Sequence, residues 1–165
     1  MIPLYDDNPT SRTAVVTMGL IALCVAVFLY QLSLDQRAAT LWVYRMGAIP
    51  AVVTGELRLH PDVAGAVPPT ATLVTSMFLH GGWLHIAGNM LYLWIFGNNI
   101  EDALGHGRFL VFYLICGILA ALAHVVMAPA SEVPMIGASG AISGVLGAYL
   151  LLYPRNGPGG TDHGH

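Results

Sequence analysis

The chain has 165 residues, about the length of one domain, but only 9% of them are charged and 56% are hydrophobic. A soluble domain carries roughly 25% charged residues, so this composition excludes an ordinary soluble domain. It also excludes a disordered chain, a nucleic-acid binder built on a basic face, and a small secreted domain held by disulfides. A membrane protein is the class that remains.

The spacing of the charged residues predicts where the chain crosses the membrane. Four uncharged stretches, of 22, 38, 23 and 22 residues, lie between charged side chains. A spanning helix needs roughly 20 predominantly apolar residues, so each stretch holds one span. We therefore predict an all-α, polytopic membrane helical bundle with spans near residues 13–33, 80–98, 109–128 and 137–153.

The first predicted span is an anchor rather than a cleaved signal peptide. Asp6 and Asp7 precede it with only Arg12 to balance them, and no small-residue cleavage site follows the apolar run. The positive-inside rule leaves the orientation open, because the connections on the two sides carry three arginines each.

Residues 34–72 connect the first two spans. The segment carries Trp42, Tyr44, Arg45 and four prolines. Aromatic and basic side chains among turn-forming prolines are typical of a piece that lies in the membrane interface. We predict an amphipathic, turn-rich segment here and no second domain.

The second predicted span begins with polar side chains that are costly inside a membrane. His85 and Asn89 are four residues apart, so both lie on one face of a helix, and His80 precedes a Gly-Gly pair. Such groups mark a functional site or serve as hydrogen bonds between helices, and this segment alone leaves both interpretations open. The two histidines lack the four-residue spacing of a helical zinc motif and have no Glu between them, so we predict no metal site.

Two further histidines flank the third predicted span or lie within it. His106 falls in a short polar loop before the span, and His124 lies late within it. At such positions a histidine is more often structural or interfacial than catalytic, so we assign no chemistry to either.

The fourth predicted span begins with glycines and a serine. Glycines at 140, 144 and 147 predict a helix whose backbone neighbouring helices can approach closely. That packing does not require Ser139, which lies between Gly137 and Gly140 where the helix begins. A hydroxyl there lies beside free N–H groups and the positive end of the helix dipole, which stabilise an oxyanion. Together with the polar face of the second span, it predicts an acyl-transfer site.

Three segments resemble the rhomboid family of intramembrane serine proteases. They are His80-Gly-Gly-Trp-Leu-His85-Ile-Ala-Gly-Asn89, Gly97-Asn-Asn-Ile-Glu101-Asp-Ala-Leu-Gly105 and Gly137-Ala-Ser139-Gly140. The resemblance covers the chain from about residue 13 to 154. It implies a helical bundle in which Ser139 attacks a peptide bond of a transmembrane substrate. The backbone N–H of Ser139 and the side chains of His85 and Asn89 would hold the oxyanion.

The resemblance implies further properties. His80 would brace the first loop, and Glu101 and Gly105 would be structural, in the loop and helix start after the second span. The family's usual orientation puts both termini in the cytoplasm and residues 34–72 outside, which implies an integral protein of the cell (inner) membrane. No cofactor, metal ion or nucleic acid is expected, and the partners would be the lipid bilayer and transmembrane protein substrates.

The chain departs from the family pattern at its general base. Rhomboids use a Ser-His dyad whose histidine comes from a sixth span, and only four of the expected six spans are predicted here. His163 and His165 would emerge on the opposite side of the membrane from Ser139, because the helix up to Tyr153 rises by roughly 20 Å. His124 could lie at a similar depth to Ser139, but nothing else in its position suggests a base.

The last ten residues, 156–165, abandon the apolar character of the chain. Shifted by one base, the codons of residues 155–165 permit Ala-Thr-Val-Leu-Val-Ala-Leu-Ile-Met-Ala, a start for another membrane helix. We therefore interpret residues 1–155 as an incomplete rhomboid-like domain and 156–165 as a polar tail produced by a frameshift. The alternative is a naturally short paralogue with a flexible tail, and the native nucleotide sequence distinguishes the two.

The sequence supports two functions. The first is an intramembrane serine endopeptidase that cleaves transmembrane proteins with Ser139 as nucleophile. The alternative is a non-catalytic rhomboid-like protein that binds transmembrane clients without cutting them, because a serine hydroxyl without a base in reach is a weak nucleophile.

Overall fold

The computed structural model describes residues 12–65 and 67–154, which form a helical bundle. The polar tail interpreted as a frameshift lies outside the described residues. The α-helices of the described part are, in chain order, α1 (Val15–Ser33), α2 (Gln36–Met46), α3 (Pro50–Val53), α4 (Thr72–Thr75), α5 (Trp83–Leu104), α6 (His106–Met127) and α7 (Ser139–Leu152). Short 3-10 turns, Pro69–Ala71 and Ser76–Phe78, flank α4.

Each of the four predicted spans contains a long helix, but the second one begins at Trp83 rather than near residue 80, and its predicted end is also wrong. The helix α5 continues to Leu104, so Glu101 lies inside the helix rather than in a loop. Only Gly105, with φ 86°, separates α5 from α6, and His106 is the first residue of α6 rather than part of a polar loop. The helix tolerates Glu101 because the carboxylate has hydrogen-bond partners in α1, which the sequence alone does not reveal.

The four long helices differ in how well they suit a membrane. By length and composition, α1 and α6 are long and apolar enough to cross one. The helix α7 is apolar but has only 14 residues, about 21 Å against a hydrocarbon core of roughly 30 Å. The helix α5 has 22 residues but carries histidine, asparagine and acidic side chains, which lower its mean hydropathy.

The helix α5 contacts α1, α6 and α7 and forms the centre of the bundle. Its residues Leu93 and Ile100 are fully buried, together with Tyr113 of α6 and Val145 of α7. Burial of large side chains from three helices in one cluster supplies the packing that holds the bundle together.

Two glycines allow α7 to lie directly against α6. A Cβ on Gly140 would be 2.6 Å from the Cβ of Ala120, and one on Gly144 would overlap the Sγ of Cys116. Close approach is therefore found where the sequence predicted it at these two positions. It is not found at Gly147, where a Cβ would meet no atom within 4 Å.

The segment between α1 and α5 has the turn-rich form expected of it. The helix α2 begins after Asp35, whose carboxylate accepts a hydrogen bond from the N–H of Ala38 at 2.8 Å. Farther along, an isolated β-bridge pairs Ala48 with Met135. That bridge ties this segment to the loop that precedes α7.

A buried carboxylate near the end of α5 joins this helix to α1. Glu101 is 0% exposed and accepts hydrogen bonds from the backbone N–H groups of Val16 (2.9 Å) and Thr17 (2.7 Å) and from the Thr17 hydroxyl (2.7 Å). The Nδ1 atom of His106 contacts the same carboxylate. The first N–H groups of a helix lack partners within it, and α1 has no capping side chain of its own. Glu101 therefore caps α1 from another helix.

The substitution Glu101→Gln should destabilise the folded chain. The amide would turn an NH2 group toward N–H donors, so at least one buried, charge-assisted hydrogen bond is lost, at a cost of about 2 kcal/mol. Thermal unfolding in detergent should show a lower midpoint for Glu101→Gln than for Glu132→Gln, whose side chain is exposed. Equal midpoints would contradict the role of Glu101 as a cap.

Candidate active site

Ser139 lies at the position that the sequence predicted, the first residue of a helix. The preceding residue, Ala138, offers no side-chain hydrogen bond to the start of α7. The N–H groups of the first turn are therefore free of a side-chain cap, and the side chain of Ser139 is exposed. The helix start offers both a hydroxyl and hydrogen-bond donors.

The backbone that leads into Ser139 is held by groups from the region before α5. The N–H of Gly137 donates to the carbonyl oxygen of Ser76 at 2.8 Å. The N–H of Ala138 donates to Nε2 of His80 at 3.4 Å, and His80 is 1% exposed. His80, which the resemblance assigns to bracing the first loop, thus contacts the residue next to Ser139 and holds the backbone where α7 begins.

The protonation state of His80 suits its role as a hydrogen-bond acceptor. His80 lies in the connection before α5, where burial lowers its pKa to about 4, with a further contribution from the neighbouring ring of His85. The two ring centroids are 5.0 Å apart. The imidazole is therefore neutral at pH 7, and Nε2 keeps the lone pair that accepts the N–H of Ala138.

His85 lies in the first turn of α5 and presents a donor to the same backbone. The N–H of Gly81 donates to Nδ1 of His85 at 3.2 Å, so the neutral ring carries its proton on Nε2; this tautomer is inferred from the hydrogen bond. A Cβ placed on Gly137 would lie 2.9 Å from Nε2. The N–H donor of His85 therefore borders Gly137, two residues before Ser139.

Asn89 lies one turn farther along α5 and supplies a second donor. Its Nδ2 atom is buried and donates no hydrogen bond to any residue that the structure describes. The same Cβ on Gly137 would lie 3.9 Å from this atom. Buried donors are normally paired, so the Nδ2 atom of Asn89 is available to an acceptor that binds beside Gly137.

Gly137 is required at this point on two grounds. Its φ of +117° is a conformation that residues with a side chain rarely adopt. Its missing Cβ also leaves the space between the backbone and the His85 ring. Gly140 has a different role, because it packs on α6 and does not border the donors of His85 and Asn89.

The sequence analysis assigned no general base to this chain, and none contacts Ser139 within the described ranges, 12–65 and 67–154. Packing of Gly140 on Ala120 and of Gly144 on Cys116 makes α6 and α7 antiparallel, which places His124 at the level of the residues just before Ser139. His124 is exposed, and in these ranges no hydrogen bond joins the Ser139 hydroxyl to a histidine. His163 and His165 lie outside them.

The sequence carries no signal for two groups that contribute to the site. The carbonyl oxygen of Ser76 and the N–H of Gly81 are backbone atoms, and each fixes a functional segment through one hydrogen bond. Any residue type supplies a carbonyl oxygen, so only the tertiary structure reveals the contribution of Ser76.

Comparisons with known proteins identify the family of the chain. The model of the rhomboid domain matches residues 69–159, which is more than half of the chain and includes α5, α6 and α7. The chain belongs to the rhomboid family. It is accordingly an integral membrane protein with an all-α bundle, as the sequence predicted.

Several named rhomboids are similar to this chain. Rhomboid protease GluP of Bacillus subtilis is 47% identical over 84 residues, which are 51% of this chain and 16% of that protein. The mitochondrial presenilin-associated rhomboid-like protein of Bos taurus is 29% identical over 120 residues, 72% of this chain and 32% of that protein. Rhomboid protein 1 of Saccharomyces cerevisiae, also mitochondrial, is 38% identical over 88 residues, 51% of this chain and 25% of that protein. The matched part of the chain thus spans about a third or less of each of these relatives.

The substitution Gly137→Ala should destabilise this rhomboid. A methyl group there would be forced into the His85 ring, and the backbone conformation costs about 1–3 kcal/mol for a residue with a side chain. The matched control is Gly147→Ala, because a Cβ at that helical position meets no atom within 4 Å. In thermal unfolding, Gly137→Ala should have the lower midpoint and Gly147→Ala a midpoint at or above that of the wild type. Tolerance of Gly137→Ala would contradict the close approach of His85.

Proposed function

We propose that this rhomboid is an intramembrane serine endopeptidase that cleaves transmembrane proteins, with Ser139 as its nucleophile. The observation that carries the proposal is the buried, unpaired Nδ2 of Asn89, which borders Gly137 beside the Nε2–H of His85. Together with the backbone N–H of Ser139, these donors would surround an oxyanion formed at the start of α7.

The proposed reaction is acyl transfer in two steps. The Ser139 oxygen forms a bond to the scissile carbonyl carbon, and its proton passes to a general base. The oxyanion then collapses, the C–N bond breaks, and the amine leaves with that proton. Water hydrolyses the acyl-enzyme and returns Ser139 to its original state. The family resemblance assigns the base to a histidine of a further span.

A second function is favoured by one specific observation. In the described ranges the Ser139 hydroxyl has no histidine partner, and a hydroxyl without a base is a weak nucleophile. A rhomboid with this property would bind transmembrane clients without cutting them. The two functions share the membrane partner and differ only in whether Ser139 is activated.

We further propose that the chain lies in the cell (inner) membrane with its N-terminus in the cytoplasm, as the family's usual orientation implies. Two of the relatives described above are named as mitochondrial, so an organellar membrane is the alternative. The test is an alkaline phosphatase fused before the first span. Enzymatic activity of this fusion would show that the N-terminus lies outside the cytoplasm, and would overturn the proposed orientation.

A fluorophosphonate probe should label the full-length protein in detergent at Ser139, because the probe reacts only with an activated serine. The substitution Ser139→Ala should abolish the labelling. The matched control is Ser143→Ala, one turn farther along the same helix and also exposed, which should retain it.

Two outcomes of this experiment would contradict the proposal. Labelling that survives Ser139→Ala would show that another residue reacts. Absence of labelling in a wild-type protein that unfolds cooperatively would favour the client-binding function instead. Cleavage of a model transmembrane substrate, lost in Ser139→Ala, would be the stronger positive result.

The substitution Asn89→Ala should slow labelling by about 100-fold while leaving the fold intact, because removal of one oxyanion donor typically costs that much. The matched control is Asn98→Ala, which removes a partly buried amide farther along α5. An equal labelling rate in the two variants, measured by quenching the reaction at successive times, would remove Asn89 from the oxyanion site.

A further inference from the structure

A cavity of about 430 Å³ lies outside the candidate active site, in the segment between α1 and α5. Its walls come from the end of α2, the short helix α3 and the turns between α3 and α4. This volume falls in the range of small-ligand sites. Neither the acyl-transfer chemistry nor the packing of the long helices uses it.

Two arginines are the charged residues that line this cavity. The guanidinium of Arg45 is fixed, since its Nε donates to the carbonyl of Val63 at 2.8 Å and its Nη2 to the carbonyl of Asp62 at 3.2 Å. Those bonds leave Nη1 for another acceptor. Arg58 also lines the cavity and has an exposed side chain. The cavity therefore carries positive charge that no lining carboxylate offsets.

The other walls of the cavity are mostly apolar. They include Ile49, which is 2% exposed, together with Leu57, Leu59 and Pro68. A ligand that fits both kinds of wall has an anionic group for the guanidiniums and hydrocarbon for the remaining surface. Guanidinium groups bind phosphate oxygens with good geometry because their planar N–H pairs match two oxygens at once.

The segment that holds the cavity begins where α1, a candidate membrane span, ends. The helix α1, long and apolar enough to span the membrane, ends at Ser33, and α2 begins at Gln36. The rings of Tyr30, near the end of α1, and Trp42 of α2 are in edge-on contact, with centroids 5.0 Å apart. Tyrosine and tryptophan are enriched at this level of a membrane.

We propose that this cavity binds the phosphate of an anionic phospholipid, with Arg45 and Arg58 on the phosphate and the apolar wall against the glycerol and acyl chain. Anionic lipids attract basic residues near the membrane surface, and here two of them line one cavity. The site is independent of the proposed protease activity, because neither arginine takes part in the candidate active site.

The test is binding of phosphatidylglycerol to the purified full-length protein, measured by native mass spectrometry against phosphatidylcholine. Phosphatidylglycerol should bind in preference, and Arg58→Gln should weaken its binding about fivefold, the loss expected for one basic residue near an anionic surface. The charge-matched control is Arg37→Gln, an exposed arginine that does not line the cavity, which should bind as the wild type does. Arg45→Gln also removes bonds to the loop, so Arg58→Gln is the decisive variant.

Three results would overturn the proposal. The first is equal binding of the two lipids, and the second is equal binding by Arg58→Gln and Arg37→Gln. The third is displacement of phosphatidylglycerol by an equal concentration of inorganic phosphate or of an acidic peptide. Displacement by inorganic phosphate would indicate a site for free anions, whereas displacement by the peptide would indicate a site for protein segments.

Discussion

The candidate site depends on the contact between the backbone at Gly137 and the first turn of α5. Hydrogen bonds from Gly137 to Ser76 and from Ala138 to His80 hold the start of α7, and the absence of a side chain at Gly137 leaves room for the His85 ring. Without that contact, α5 and α7 would still pack through their apolar residues. The donors of α5 would no longer border the helix start that carries Ser139, however, and the proposed acyl-transfer reaction would have no oxyanion site.

Both ends of α5 are polar, and each polar end has a partner elsewhere in the fold. At one end His85 and Asn89 face the loop before α7, and at the other Glu101 caps α1. The middle of the helix is apolar and buried between three neighbours. This arrangement explains why the central helix of a membrane bundle has a lower mean hydropathy than α1 or α6. A polar group is stable at depth when protein, rather than lipid, satisfies its hydrogen bonds.

The segment between α1 and α5 is attached to the candidate active site and also has features of the membrane interface. Its bridge from Ala48 to Met135 connects it to the loop before α7, while Arg45 folds back onto the carbonyls of Asp62 and Val63. A lipid held by Arg45 would therefore bind to a part of the chain that contacts the loop leading into Ser139. The proposed lipid site and the candidate active site have no lining residue in common, and backbone hydrogen bonds between Ala48 and Met135 and from Ala51 to Ser131 connect the two segments.

Much of the fold and of the candidate site could be predicted from patterns within short stretches of sequence. The remainder depends on contacts between residues that are far apart in the chain. Charge spacing located four helices, and the four-residue interval placed His85 and Asn89 on one face, because both signals are contained in a short stretch of chain. The same reasoning ended α5 too early, since the partners of Glu101 lie 84 and 85 residues away in α1. The sequence by itself determined the helical membrane class, the serine at a helix start and the family resemblance. Only the tertiary structure decided that His80 accepts a hydrogen bond from Ala138, which lies 58 positions along the chain, and that the Nδ2 of Asn89 has no partner. Both facts depend on how the helices pack, which no short stretch of sequence specifies.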